Sequence, residues 1–110
     1  MSRRFTLPQL KKYDVTQKVI ELLADSESRA ILFSMIKQGK TAAELSDKLK
    51  IPLSSVYKKL ADLEELTLIE IEQWLLSDKG RKYKVYKSRV KTADISIKKP
   101  EPLLTLVPNV

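Results

Sequence analysis

Apolar residues along the chain follow two periods, and the change between them predicts the architecture. Up to residue 66 they recur every three or four positions; from residue 68 they alternate. Val15, Val19, Leu22 and Leu23 form one helical stripe, with Asp14 placed to cap a helix over residues 14–24. Asp25 or Ser26 opens a second helix whose inner face is Ile31, Leu32, Met35 and Ile36, and Gly39 stands where a helix end favours glycine. Thr41 and Glu44 have the spacing of a capping box: the Thr hydroxyl accepts from a backbone N–H, and the Glu carboxylate reaches back. Loss of that Thr cap costs about 1 kcal/mol. Ala42, Leu45 and Leu49 face inward on this third helix, and Lys50, Ile51 and Pro52 make the turn that follows. Pro52 cannot extend the helix before it and suits the start of the next. In the fourth helix, residues 53–66, Val56, Leu60 and Leu63 fall at i, i+4 and i+7 and hold one side to the core. Each contributes roughly 1.5–3 kcal/mol when buried.

Beyond Leu68, Ile69 and Ile71 alternate with Glu70 and Glu72, and Trp74 follows, which predicts a strand. Ser77, Asp78, Lys79 and Gly80 supply turn chemistry, and residues 82–89 return as a second strand. Residues 92–97 form a further extended stretch. The predicted layout is one domain over residues 14–98, with a basic N-terminal arm at 1–13 carrying Arg3, Arg4, Lys11 and Lys12. A proline-containing tail at 99–110 carries Leu103, Leu104, Leu106 and Val107. No internal repeat is present.

Composition narrows the function classes. The 110 residues carry a net charge of +7 at pH 7, which favours a polyanionic partner over a neutral one. Cysteine and histidine are both absent, so disulfides, thiolate or imidazole metal sites, and Cys- or Ser–His-based nucleophilic catalysis are excluded. There is no glycine-rich phosphate loop, and Glu64, Glu65, Glu70 and Glu72 read as solvated surface charges rather than an acid–base pair. An enzyme is not expected, nor is a cofactor. No apolar run spans a bilayer, and residues 1–12 lack the apolar core of a signal peptide. The expectation is a cytoplasmic, nucleoid-associated protein.

The candidate chemistry lies on the outer side of the fourth helix and on the hairpin. A recognition helix is held by its inner face so that its outer N-terminal residues reach base edges. Ser54, Ser55, Tyr57, Lys58 and Lys59 are the outward residues, with Thr41 at the start of the preceding helix. Hydroxyls donate or accept, lysine donates to guanine or phosphate, and tyrosine packs on sugar or bonds a phosphate. None is a bidentate arginine, asparagine or glutamine, so backbone positioning should outweigh direct readout. Residues 79–91 hold seven basic side chains and no acid; Lys79, Arg81 and Lys82 at the tip are best placed for phosphates or the minor groove. The same charges on a solvated hairpin would deter edge pairing. Trp74 and Tyr86 are expected to pack against the helices more than to stack on a base.

The segments LLADSESRAILFSMIKQGKTAAELSDKLKIPLSSVYKKLADLEELTLIEIE and SDKGRKYKVYKSRV resemble the winged helix-turn-helix superfamily, and within it the archaeal ArsR-like transcriptional regulators. The resemblance spans about residues 15–97 and is most specific over IPLSSVYKKLADLEEL. It implies a mainly α fold with a small antiparallel β-wing (α+β): a tri-helical core plus an additional N-terminal helix. It also implies a homodimer on double-stranded DNA, to which the leftover apolar surface of the first helix and tail adds, and regulation of transcription through sequence-selective binding. By that resemblance Ser54, Ser55, Tyr57, Lys58, Lys79, Arg81 and Lys82 contact DNA. Metal-sensing members use Cys and His ligands, so that sensor function does not carry over. Lys50 and Thr67 stand where relatives often place glycine: Lys50 is expected to hold a less comfortable backbone, at about 1 kcal/mol, and the junction at Thr67 is expected to be less regular than in relatives. The alternative from another class is a winged-helix protein–protein interaction module, with the basic wing on an acidic partner and Leu103 to Val107 as a docking strip. RNA binding is weaker still, because the sequence shows no spaced aromatic platform.

Overall fold

A computed structural model describes residues 7–110, with side chains from residue 15 onward. Four helices come first: α1 (Leu7–Ala24), α2 (Ser26–Ser34), α3 (Ala42–Leu49) and α4 (Leu53–Glu65). Four strands follow: β1 (Ile69–Leu76), β2 (Lys82–Ser88), β3 (Val90–Ser96) and β4 (Leu103–Pro108). The strands pair as two antiparallel ribbons, β1 with β2 and β3 with β4. The architecture is α+β: a helical core bearing two small sheets.

One apolar cluster joins every helix to the base of the wing. Ile31, Leu32 and Met35 of the second helical segment meet Leu45, Val56, Leu60 and Leu63, all essentially inaccessible to solvent, and Leu68, Ile69, Tyr86 and Val90 close the cluster from the strands. The predicted inner face of α4 is therefore the observed one. On α1, Val19 and Leu23 are buried as expected, whereas Val15 is half exposed.

The caps explain where the helices begin and end. The Asp25 carboxylate accepts from the Ser28 backbone N–H at 3.0 Å and from its hydroxyl at 2.8 Å, which starts α2. The Thr41–Glu44 capping box is complete: Thr41 Oγ1 accepts from the Glu44 N–H at 3.1 Å, and Glu44 Oε1 accepts from the Thr41 N–H at 2.8 Å. Lys50 ends α3 in the left-handed region at φ 58°, and Thr67 takes φ 59° after α4. Both positions flagged by the sequence thus carry the conformation in which glycine costs least.

Four expectations are corrected. The first helix starts at Leu7, not Asp14, which lies inside it; Pro8 sits in the first turn, where a missing N–H goes unnoticed. Residues 7–13 of the expected arm are therefore helical, and residues 1–6, with Arg3 and Arg4, lie outside the described residues. Gly39 does not cap α2, which ends at Met35. It is small because the chain passes close by: a Cβ there would fall 2.7 Å from Val85 Cγ1 and 3.1 Å from the Tyr86 carbonyl oxygen. That approach lets Lys40 pair with Tyr86 through two backbone bonds of 2.8 and 2.9 Å, fastening the wing to the start of α3. Lastly, the tail is a strand. β4 zips onto β3, and Asn109 Nδ2 donates to the Ile36 and Ser88 carbonyls, both at 2.9 Å.

The Asp25 cap is also an ion-pair site. Lys59 Nζ lies 2.8 Å from Asp25 Oδ2 and 3.7 Å from Glu27 Oε1. The Lys59 hydrogen bond first, then those from Ser28, hold the Asp25 carboxyl at about 2, below its ordinary 3.8. The same bond raises Lys59. Because the folded-state value of Asp25 is depressed, its stabilisation is fully present above about 4 and is lost as pH falls toward 2. Asp25→Asn keeps a good cap residue and removes the charge. It should lower Tm by several degrees at pH 7 and match the parent chain near pH 2; thermal melts at both pH values check this.

Candidate nucleic-acid interface

α4 is fastened on its inner side by Val56, Leu60 and Leu63, which leaves its other side free. Ser54, Tyr57 and Lys58 are exposed there, with Tyr57 about half accessible, and Ser55 is half-buried. Thr41 is half-buried at the N-terminus of α3; its hydroxyl is engaged as an acceptor in the capping box, which gives it a structural task. It lies in the same cleft as Tyr57.

Lys59 departs from the sequence expectation of an outward DNA contact. Its side chain is only 22% accessible and is tied to Asp25 and Glu27. It sits on the flank of α4 that meets the start of α2, so its charge is compensated within the fold. Sequence spacing could not reveal this, because the partner lies 34 residues away.

The β1–β2 hairpin turns through Ser77, Asp78, Lys79 and Gly80. Gly80 at φ 79° makes the tight corner, and the Gly80 N–H donates to the Ser77 carbonyl at 2.9 Å. The Ser77 hydroxyl accepts from the Arg81 N–H at 3.1 Å. Lys79, Arg81 and Lys82 are exposed around this tip. Among the described residues, Lys58, Lys79, Arg81 and Lys82 take part in no ion pair. Three further cations of residues 79–91 are engaged. Lys84 Nζ lies over the Trp74 ring at 5.1 Å, Lys87 Nζ donates to the Lys37 carbonyl at 3.0 Å, and Arg89 lies 3.7 Å from Glu70.

α4 and the wing share a cleft of about 470 Å³. Thr41, Ala42 and Ala43 line it from α3, Tyr57 from α4, and Trp74, Lys82, Tyr83, Lys84 and Tyr86 from the hairpin. Tyr86 is buried, and desolvation raises its hydroxyl above the ordinary value, with the Glu64 carboxylate adding to the shift. It therefore remains a neutral donor at physiological pH. The expected packing of both aromatics on the helices holds for Tyr86 only; Trp74 is 55% accessible. This cleft was not legible in the linear sequence, because its aromatics come from three separate elements.

Among the described residues, no group of His, Cys, Asp and Glu side chains could hold a metal ion, and no helix is long and apolar enough to cross a membrane. No family model and no curated protein matches the chain. The structure is similar to that of NolR from Sinorhizobium fredii, with a TM-score of 0.62 at 14% identity, over 82% of this chain and 84% of that one. The chain has the winged-helix fold.

Proposed function

We propose that this protein binds double-stranded DNA sequence-selectively and regulates transcription, with α4 in the major groove and the wing tip on the backbone or in the minor groove. One observation carries the reading. The exposed side of α4 and the cationic wing lie side by side, Tyr57 and Lys82 lining one cleft between them, and Lys58, Lys79, Arg81 and Lys82 take part in no ion pair among the described residues. A helix-turn-helix held from behind uses this arrangement to meet a duplex. The excess of +7 supplies the long-range attraction. Ser54, Ser55, Tyr57 and Lys58 are assigned to the groove, and Lys79, Arg81 and Lys82 to phosphates. Thr41 is assigned to a phosphate beside its cap. The ArsR-like, archaeal reading rests on the segment IPLSSVYKKLADLEEL, and action at the nucleoid follows from the proposed partner.

Selection of bound duplexes from a random pool tests the reading. A recovered motif is expected. Lys58→Ala should relax selectivity at the positions it reads, and Arg81→Ala should weaken all sequences by a similar factor. Absence of duplex binding at low salt, with a stable protein complex surviving nuclease treatment, would instead establish the docking-module alternative.

We also assign a homodimer to the groove between α1 and the β3–β4 ribbon. Val15, Leu104, Leu106 and Val107 line it, and Val15 and Val107 remain well exposed in the single chain. Light scattering at micromolar concentration should give twice the chain mass of 12.6 kDa, and a monomer mass would refute the assignment.

A further inference from the structure

The wing contains an irregularity that changes what the cleft can hold. β1 pairs Ile71 with Tyr86 but Gln73 with Val85, so Glu72 is an extra residue, a β-bulge. Uninterrupted alternation would put Trp74 on the face opposite Ile69 and Ile71. The bulge reverses the parity, so Trp74 lies across from Lys84 and Leu76 across from Lys82, on the same face as Ile71 and Tyr86. That face looks into the cleft with Tyr57. The chain's single tryptophan and three of its four tyrosines line this one space.

A paired duplex has little use for such a surface. Its bases are stacked on one another, and the grooves offer edges and phosphates, not ring faces. Aromatic faces gain most against a base that has left the stack, and nearby cations hold the phosphates on either side. Trp74 and Tyr57 are each more than half accessible, and Lys82 and Lys84 stand beside them. Lys84 now covers the indole at 5.1 Å. A base that takes its place frees the ammonium for the adjoining phosphate. A site for a free small molecule would need several convergent polar groups to orient it. Here the charged lining is Lys82 and Lys84 alone, the first exposed and the second half-buried, which suits the phosphates of a strand more than a small enclosed ligand.

We propose that the cleft between α4 and the wing binds an unpaired nucleotide of a DNA strand, its base stacked on Trp74 and Tyr57 and its phosphates on Lys82 and Lys84. The preferred ligand is thus a duplex carrying a single-stranded extension or opening. This rests on the reading that the α4–wing face meets DNA, but it does not need sequence-selective duplex binding.

Trp74 is its own fluorescent reporter, since no other tryptophan is present. The full chain is titrated with a blunt duplex, the same duplex with a short single-stranded overhang, a short oligothymidylate, and thymidine monophosphate. The overhang should tighten binding about tenfold, the scale of one stacked base. The overhang duplex and the oligothymidylate should both quench Trp74. Trp74→Leu should abolish the gain from the overhang and leave blunt-duplex affinity within about twofold, with anisotropy of labelled DNA as readout; its exposure makes it tolerable to the fold, which circular dichroism verifies. Tyr57→Ala should abolish the same gain while also weakening the blunt duplex, because Tyr57 is assigned to the groove as well. Equal affinity for blunt and overhang duplexes overturns the proposal, and so does saturable binding of the monophosphate as tight as that of the strand. Binding of the oligothymidylate without binding of blunt duplex sinks the duplex-regulator reading and leaves this one standing.

Discussion

Raising salt from 50 to 200 mM should weaken duplex binding about a hundredfold per protomer. The figure follows from the cations the fold leaves uncompensated. Lys58, Lys79, Arg81 and Lys82 are exposed and in no ion pair among the described residues, so roughly four phosphates can be neutralised. Each neutralised phosphate releases condensed counterions and steepens the logarithmic salt slope by about 0.9. Arg81→Ala should therefore flatten the slope by about one unit. Lys59→Ala provides the internal control. Its charge is matched by Asp25 at 2.8 Å, so the slope should stay as it is while Tm falls. A slope near zero for the parent chain would mean the wing tip is only a solvated surface. A slope that changes with Lys59 would mean the Asp25 pair opens on binding.

What the sequence revealed and what it hid divide along the range of the interactions involved. Features set within a few residues were legible: the Thr41–Glu44 cap, the inner stripe of α4, the Ser77–Gly80 turn, and the strained backbone at Lys50. Each depends on local sterics or on a local hydrogen bond. Features that need two distant segments were not. The pairing of β4 with β3 turns an apparent tail into an edge of the fold, and nothing in PEPLLTLVPNV alone names its partner strand. Lys59 looks like any outward lysine until α2 is placed beside it. Gly39 sits at the right offset for a helix cap, yet its true constraint is the wing strand crossing over it. The bulge at Glu72 is the most consequential omission. Strict alternation separates Trp74 from Tyr86; the extra residue brings them to one face and creates the aromatic cleft.

Leu60→Ala should remove about 2–5 kcal/mol of stability, the largest loss expected for a single truncation on α4. Leu60 is 1% accessible and sits midway along the helix, between Val56 and Leu63, within the cluster shared with Ile31, Leu32 and Leu45. Cutting it back removes the buried methyl groups and leaves a cavity that close-packed neighbours fill only in part. A domain of this size has about 5–15 kcal/mol in total, so a large share would go. Leu60→Met, which nearly conserves volume, should cost under about 1.5 kcal/mol. Tyr57→Ala, one turn earlier on the exposed side, should stay within about 0.5 kcal/mol of the parent. Urea titration of the three variants measures all of these. The contrast matters for function, because a helix can enter a groove only if it is anchored on one side and idle on the other. If Tyr57→Ala destabilised the chain as much as Leu60→Ala, the tyrosine would be a core residue. The helix would then present no free face, and neither the duplex reading nor the aromatic cleft could stand.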